Sequence, residues 1–170
     1  IIGNQPVQDE LAFQLDMAMK TAARDIEHSF IQGAYNAGAN ITTPRKTRGM
    51  LAAVSTNEVA GGAAALTQAK VESALKKMAD SGAPFEMPVI FANAFQKQKL
   101  SSIYSSALAL APRDRTVGGV NITTIETDFG QVGIVFERHI PADDVLIADL
   151  AFLKPVFLDI PGKGHFFVEP

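Results

Sequence analysis

The side chains best suited to acid–base or metal chemistry are Glu126 and Asp128, two carboxylates close together in the chain, and His139 further on. Residues two apart on a β-strand share a face, so both carboxylates would point the same way. Such a pair can bind a hard cation or act as a general acid and base. One hypothesis is therefore a small α/β enzyme that uses these three residues. The alternative, which we favour, is a solvated strand edge followed by a turn.

The other chemical motifs in the sequence are incomplete. His28, His139 and His165 are far apart along the chain, and none belongs to a metal motif with two histidines one helical turn apart. Residues 128–130 spell Asp-Phe-Gly, the magnesium-binding tripeptide of protein kinases, but no Gly-rich nucleotide loop accompanies them. The absence of cysteine excludes a thiolate metal site. We therefore predict no enzyme activity, no cofactor and no metal ion.

Two charged clusters are candidates for recognition of a partner. They are Arg45, Lys46 and Arg48 in one loop, and Arg113, Asp114 and Arg115 in another. The first cluster is either a solvated loop or a contact with phosphate or with acidic groups on a neighbouring subunit. The formal net charge of −3 argues against a protein whose main task is to hold nucleic acid on a basic face.

The composition describes a chain with enough apolar residues to form a core. With 170 residues, of which 47% are hydrophobic, it fits one domain, or one domain with two lobes. No apolar run approaches the roughly 20 residues that cross a bilayer. The first residues show no positive leader before an apolar core, so they do not resemble a signal peptide. We predict no membrane association.

A long amphipathic helix is predicted at residues 7–33, and the other elements must be arranged around it. Its apolar residues recur every three or four positions. We call them the apolar stripe: Leu11, Leu15, Ala18, Ala22, Ile26 and Phe30. At about 1.5 Å per residue, this helix would be roughly 40 Å long. We expect the stripe to lie across a sheet or another helix, so that Asp in place of Leu15 or Ile26 would abolish folding.

The remaining patterns predict helices packed on a sheet. Thr67 is expected to cap a second helix with its hydroxyl, Pro88–Ala92 is a predicted buried strand, and Asn93 is expected to cap a third helix.

A β-hairpin with its turn at 128–130 is predicted next. Its alternating residues are Val120, Ile122 and Thr124 on one strand, and Val132, Ile134 and Phe136 on the other. Short apolar runs at 145–150 and 156–160 are further candidate strands. Together these elements indicate an α+β fold.

Several segments resemble major capsid proteins of tailed bacteriophages. They are DIEHSFIQG at 25–33, RKTRGML at 45–51, TDFGQV at 127–132, RHIP at 138–141 and LIADLAFLKPVFL at 146–158. The resemblance implies the fold of these proteins, with a peripheral domain at 1–60 that contains the long helix as a spine over a sheet. A mixed α/β axial domain would occupy 61–140, and 141–170 would return to the peripheral domain. Such proteins also have an N-terminal arm, an extended loop and further C-terminal strands. We expect this chain to be a piece that lacks them.

The resemblance also implies a function, that of a structural subunit of an icosahedral capsid. Copies would join into pentamers and hexamers around packaged DNA, after assembly in the bacterial host cytoplasm. The implied partners are other copies of the chain and scaffolding and portal proteins, with DNA nearby but not specifically bound. Residues 113–115 would make contacts near a ring axis, and residues 45–48 contacts between peripheral domains. Two alternatives stay open, namely a shell of the same fold that encloses protein cargo, and the small enzyme described above.

Overall fold

The computed structural model describes residues 10–108, 124–156 and 161–162. In chain order they form helices α1 (Glu10–Gln32), α2 (Met50–Ala53) and α3 (Gln68–Asp80), strand β1 (Pro88–Ala92), helix α4 (Ala94–Leu108), strands β2 (Thr124–Thr127), β3 (Gly130–Phe136) and β4 (Val145–Asp149), and a 3-10 turn at Leu150–Phe152. The predicted combination of helices with a sheet is confirmed.

The four strands form one mixed sheet in the order β2-β3-β1-β4. β1 is parallel to β3, whereas β4 is antiparallel to β1 and β2 is antiparallel to β3. Parallel neighbours need a crossover connection, and the segment that contains α4 provides it between β1 and the hairpin. β1 is thus an interior strand, which explains why Val89, Ile90 and Ala92 are buried.

Helices α3 and α4 cover one face of the sheet and form the larger hydrophobic core with it. The buried residues of this core are Val71, Leu75, Leu100 and Tyr104 from the helices, with Ile90, Ala92, Ile125, Val132 and Ile134 from the strands. Complete burial of a large aliphatic side chain stabilises a fold by roughly 1.5–3 kcal/mol. This face therefore supplies most of the packing that holds the sheet and the two helices together.

Of the two predicted helix caps, the one at Asn93 is confirmed and the one at Thr67 was wrong. Asn93 caps α4, because its Oδ1 accepts a 2.8 Å hydrogen bond from the backbone N–H of Gln96. Thr67 occupies the N-cap position of α3, but its side chain makes no capping hydrogen bond. The predicted hydroxyl cap was therefore wrong, and only the backbone carbonyl of Thr67 accepts bonds there, from Lys70 and Val71.

β2 and β3 form the predicted hairpin, and Thr127 pairs with Gly130 across a turn at residues 128 and 129. The prediction for β2 was wrong by one residue, because Ile125 is buried and Thr124 is exposed. The register explains this result, since it places Ile125 opposite the fully buried Val132. The predicted positions 120 and 122 lie outside the described residues.

On β3, the predicted alternation holds for its first part. Val132 and Ile134 are buried, whereas Phe136 is 48% exposed. Phe136 pairs with Ala92 at the end of β1, where the larger core ends.

The opposite face of the sheet carries a smaller core, where the end of α1 meets it. Ile31 of α1 is buried there with Ile140 and Leu146, and Leu51 of α2 and Phe91 of β1 pack against them among others. The candidate strand at 145–150 is confirmed as β4, which contributes Leu146 and pairs with β1. The candidate strand at 156–160 lies almost wholly outside the described residues.

A carboxylate at the end of β4 holds the chain that leads into β1. Asp149 accepts hydrogen bonds from the backbone N–H groups of Glu86, Met87 and Ala151, at 2.8, 2.9 and 3.0 Å. Hydrogen bonds to an ionised acceptor are stronger than neutral ones, so this carboxylate ties two segments more than 60 residues apart.

The apolar stripe of α1 is largely uncovered, contrary to the prediction. Leu11 is 78% exposed, Leu15 46% and Ile26 39%, and of the whole helix only Ile31 is buried. Length is the reason, because 23 helical residues span about 35 Å whereas the five residues of β1 span about 17 Å. Among the described residues, Leu15 and Ile26 therefore do not lie in a seam with the sheet, so the structure offers no packing reason for the predicted loss of folding on their replacement by Asp.

Candidate functional site

The first half of α1 is an apolar surface that faces several directions. Its exposed large side chains alternate along the chain, and they are Leu11, Phe13, Leu15, Met17 and Met19. At about 100° per residue, this alternation places Leu11, Leu15 and Met19 on one side of the helix and Phe13 and Met17 on roughly the opposite side. Clusters of exposed large apolar side chains are typical of protein interaction sites. One neighbour on one side would cover only part of this apolar surface.

The C-terminal end of α1 is fixed to the following loop by a close approach of two backbones. The N–H of Gly49 donates a 2.8 Å hydrogen bond to the carbonyl of Gly33. A Cβ atom at Gly33 would lie 2.6 Å from the carbonyl oxygen of Thr47, and one at Gly49 would lie 2.4 Å from the Gly33 nitrogen. Only residues without a Cβ allow this contact. The two glycines therefore fix the end of α1 against the segment that precedes α2.

A cluster of titratable side chains lies at the same junction, between α1 and the segment after β3. Nε2 of His139 is 3.4 Å from Oε2 of Glu27, and the His28 and His139 rings meet edge to face with centroids 5.4 Å apart. The backbone N–H of His139 donates to Oε1 of Glu137 at 2.9 Å, and its carbonyl accepts from the side-chain amide of Gln32. This cluster was not predicted, because His28 and His139 are far apart along the chain and no local spacing connects them. The third one, at position 165, lies outside the described residues.

The basic loop after α1 is exposed, but its three cations are not equivalent. Lys46 is held by its backbone, which pairs with Asn36 across the loop. Arg48 is partly engaged, because its Nε and Nη2 donate to the carbonyl of Ala52 at 3.2 and 3.0 Å. Arg45 packs its side chain near Gly38. The loop is therefore a shaped turn that presents positive charge to solvent.

The carboxylates of Glu126 and Asp128 line a shallow cleft of about 330 Å³ with Gln68, Glu72, Tyr104, Thr127 and Phe129. His139 does not line it, because it follows the opposite end of β3. The seven residues of that strand separate the two sites by about 20 Å. Burial, with the nearby Glu72 carboxylate as a second cause, raises the pKa of Tyr104 above its ordinary value of 10.0. The structure therefore does not assemble the predicted three-residue enzyme site.

The other predicted contact loop, at residues 113–115, lies outside the described residues, so its role stays a prediction. Among the described helices, none is long and apolar enough to cross a membrane.

A family model described as SU10 major capsid protein matches residues 2–170. The chain belongs to the SU10 major capsid protein family. The predicted resemblance to bacteriophage major capsid proteins is thereby confirmed. No curated protein matches the chain. As a member of this family, it is a structural subunit of a viral capsid and a component of the virion.

Family membership gives the exposed features of this SU10-type capsid subunit a common context. Capsid proteins assemble with copies of themselves, so surfaces that are open in one chain meet other chains in a shell. The candidate interface elements on the described chain are the apolar first half of α1 and the basic loop at 45–48.

Proposed function

We propose that this chain builds an icosahedral bacteriophage head, in which its copies form pentamers and hexamers around packaged DNA. Assembly would take place in the cytoplasm of the bacterial host, with scaffolding and portal proteins as further partners. DNA would lie close to the shell without specific contacts, since the formal net charge of −3 does not favour tight binding to phosphate.

The observation that supports this proposal is the exposed apolar surface of α1. Leu11, Phe13, Leu15, Met17 and Met19 each leave more than a third of their surface in solvent. Their burial against neighbouring subunits would stabilise an assembly by roughly 1.5–3 kcal/mol for each side chain that becomes fully covered. Because these groups lie on two roughly opposite sides of the helix, we infer that α1 contacts more than one neighbouring copy.

We further propose the division of roles that the family resemblance implies. Residues 1–60 would form a peripheral domain with α1 as its spine, 61–140 an axial domain, and 141–170 a return to the periphery. Rings form through contacts in which one surface meets a different surface of the next subunit. Charged loops at 45–48 and 113–115 would determine register and partner choice at these contacts more than affinity.

We also infer that the chain is not an enzyme. This inference is supported by the distance between the three residues of the hypothetical enzyme site. Glu126 and Asp128 line an open cleft at one end of β3, while His139 follows the other end. A base that is about 20 Å from its partners cannot transfer a proton to them directly.

Electron microscopy of the full-length protein, expressed alone and negatively stained, tests the proposed assembly. We expect uniform closed particles, and their nucleic-acid content separates a DNA-filled head from a shell with protein cargo. Small discrete oligomers, both alone and with coexpressed scaffolding protein, would contradict the proposal.

A matched pair of variants tests whether α1 is the assembly surface. Leu15→Glu places a charge among the exposed apolar groups, whereas Gln14→Glu adds the same charge at the neighbouring polar position. We expect both variants to fold, because Leu15 packs in neither described core. Leu15→Glu should lose particles and Gln14→Glu should keep them, as measured by particle counts and by analytical ultracentrifugation. Normal particles from Leu15→Glu would show that this part of α1 is not an interface.

A further inference from the structure

The junction between α1 and the sheet brings together three side chains with free ligand atoms. Glu27, Glu137 and His139 each offer one such atom, and these atoms all lie within 4.8 Å of one another. Around a tetrahedral ion with bonds of about 2.1 Å, ligand atoms are about 3.4 Å apart. The Glu27 side chain is half-exposed, so it has room to rotate toward the other two ligand atoms.

The unpaired imidazole nitrogen of His139 is the second observation that supports a metal site. Nε2 of His139 is buried and has no hydrogen-bond partner among the described residues. A buried polar nitrogen without a partner costs about 1–3 kcal/mol, and coordination to a metal ion would remove that cost. The nitrogen faces Oε2 of Glu27 at 3.4 Å, so it points into the cluster.

Hydrogen bonds of the His139 backbone hold Glu137 and His139, the two ligands that follow β3, in place. The N–H of His139 donates to Oε1 of Glu137, which orients that carboxylate and leaves its other oxygen available. The carbonyl of His139 accepts from the side chain of Gln32 on α1. Bonds of this kind to the residues that bind a metal raise its affinity, because the ligands are already oriented.

We propose that Glu27, Glu137 and His139 form a binding site for a divalent transition-metal ion of the Zn²⁺ class, with His28 as the fourth ligand. One or two imidazoles with carboxylates match Zn²⁺ and Co²⁺ better than Ca²⁺ or Mg²⁺, which take oxygen ligands only. The His28 ring lies edge-on to His139 with centroids 5.4 Å apart, which is why we assign the fourth position to it; a change of its side-chain torsions would be needed for coordination. The half-exposed Glu27 provides access from solvent.

The ion would link α1 to the sheet at the point where the helix leaves it. Glu27 and His28 belong to α1, whereas Glu137 and His139 follow β3. Among the described residues, the end of α1 is the part that packs against the sheet, so a metal bridge there would fix the direction of the helix. This inference does not depend on shell assembly, since the site lies within one chain.

Co²⁺ is the probe that tests the site, because tetrahedral Co²⁺ with nitrogen and oxygen ligands has strong visible absorption. Untagged full-length protein should bind one equivalent and show these bands, and Zn²⁺ should displace them. His139→Gln and Glu137→Gln should each lower the affinity by more than the roughly 10- to 100-fold that loss of an outer hydrogen-bond partner costs. Glu27→Gln removes a ligand from the exposed side and so leaves the buried part of the junction unchanged.

Asp25→Asn is the matched control, because it removes one carboxylate from the same helix, outside the cluster. It should keep both the bands and the affinity. Circular dichroism of each variant without metal verifies that α1 and the sheet are intact, and Zn²⁺ should raise the thermal midpoint of the unmodified protein but not of Glu27→Gln. Absence of tetrahedral bands in the unmodified protein, or binding that is equal in Glu27→Gln and Asp25→Asn, would overturn the proposal.

Discussion

Tyr104 has a buried hydroxyl that no described residue satisfies. Burial, and secondarily the Glu72 carboxylate, raises its pKa above 10.0 in the folded chain. Above about pH 10 the unfolded chain loses this proton more readily than the folded chain does. The stability that Tyr104 contributes is therefore fully present below about pH 10, and it is lost as the pH rises through the pKa of Tyr104 in the folded chain. Tyr104→Phe removes both the unsatisfied buried hydroxyl and its titration. We expect it to be as stable as the unmodified chain at neutral pH, or more stable by up to about 1 kcal/mol.

Urea unfolding at about pH 8 and about pH 11 measures the difference at this residue. The unmodified chain should lose more stability over this interval than Tyr104→Phe does. Tyr35→Phe is the control, because Tyr35 is 65% exposed and its replacement should leave the pH dependence unchanged. A clear loss of stability in Tyr104→Phe at neutral pH would mean that the hydroxyl has a partner after all.

At the scale of elements, the crossing of two backbones at Gly33 and Gly49 holds the end of α1 against the segment that leads into α2. A Cβ at Gly49 would approach the Gly33 nitrogen to 2.4 Å and the Ile31 carbonyl oxygen to 2.7 Å, and backbone atoms cannot rotate away as a side chain can. Gly49→Ala should therefore destabilise the chain by about 1–3 kcal/mol, as overpacking does. Thermal unfolding measures this loss, and hydrogen exchange should show earlier opening of α1 than of β1.

Gly61→Ala is the control for this crossing. A Cβ at Gly61 would meet nothing within 4 Å, so the change should shift stability by no more than about 0.5 kcal/mol. Equal midpoints for the two alanine variants would contradict a tight crossing.

The elements also show what a sequence can predict and why the rest escapes it. The C-terminal end of α1, the cap at Asn93 and the hairpin turn depend on residues close together in the chain, and their patterns indicated them correctly. Periodicity identified the apolar side of α1, but it contains no information about what covers that side. The Asp149 carboxylate and the His28–His139 contact join segments more than 60 residues apart, so no local spacing could indicate them.

At the scale of the whole molecule, the charged loops should matter for assembly and not for folding. Arg115→Glu reverses one charge in the loop proposed to lie near a ring axis, and Arg45→Glu does the same in the exposed basic loop. Substitutions at exposed positions usually change stability by less than about 0.5 kcal/mol; Arg45 is exposed, and our proposal places Arg115 in an exposed loop as well, so we expect both variants to unfold at the same temperature as the unmodified chain. Both should nevertheless form fewer closed particles, because like charges that face each other across a contact disfavour the correct register.

Salt distinguishes this electrostatic effect from a distorted loop. Raising ionic strength from about 0.1 M to 1 M shortens the screening length from about 10 Å to about 3 Å, so repulsion between exposed charges weakens. Particle yield of the two reversed variants, counted by electron microscopy, should therefore recover in part at high salt. The control is Lys76→Glu on the exposed side of α3, which makes the same charge change outside both loops. If Arg115→Glu forms shells as efficiently as Lys76→Glu does at low salt, residues 113–115 are not part of an interface. If its yield is low at every salt concentration, steric distortion replaces charge as the explanation.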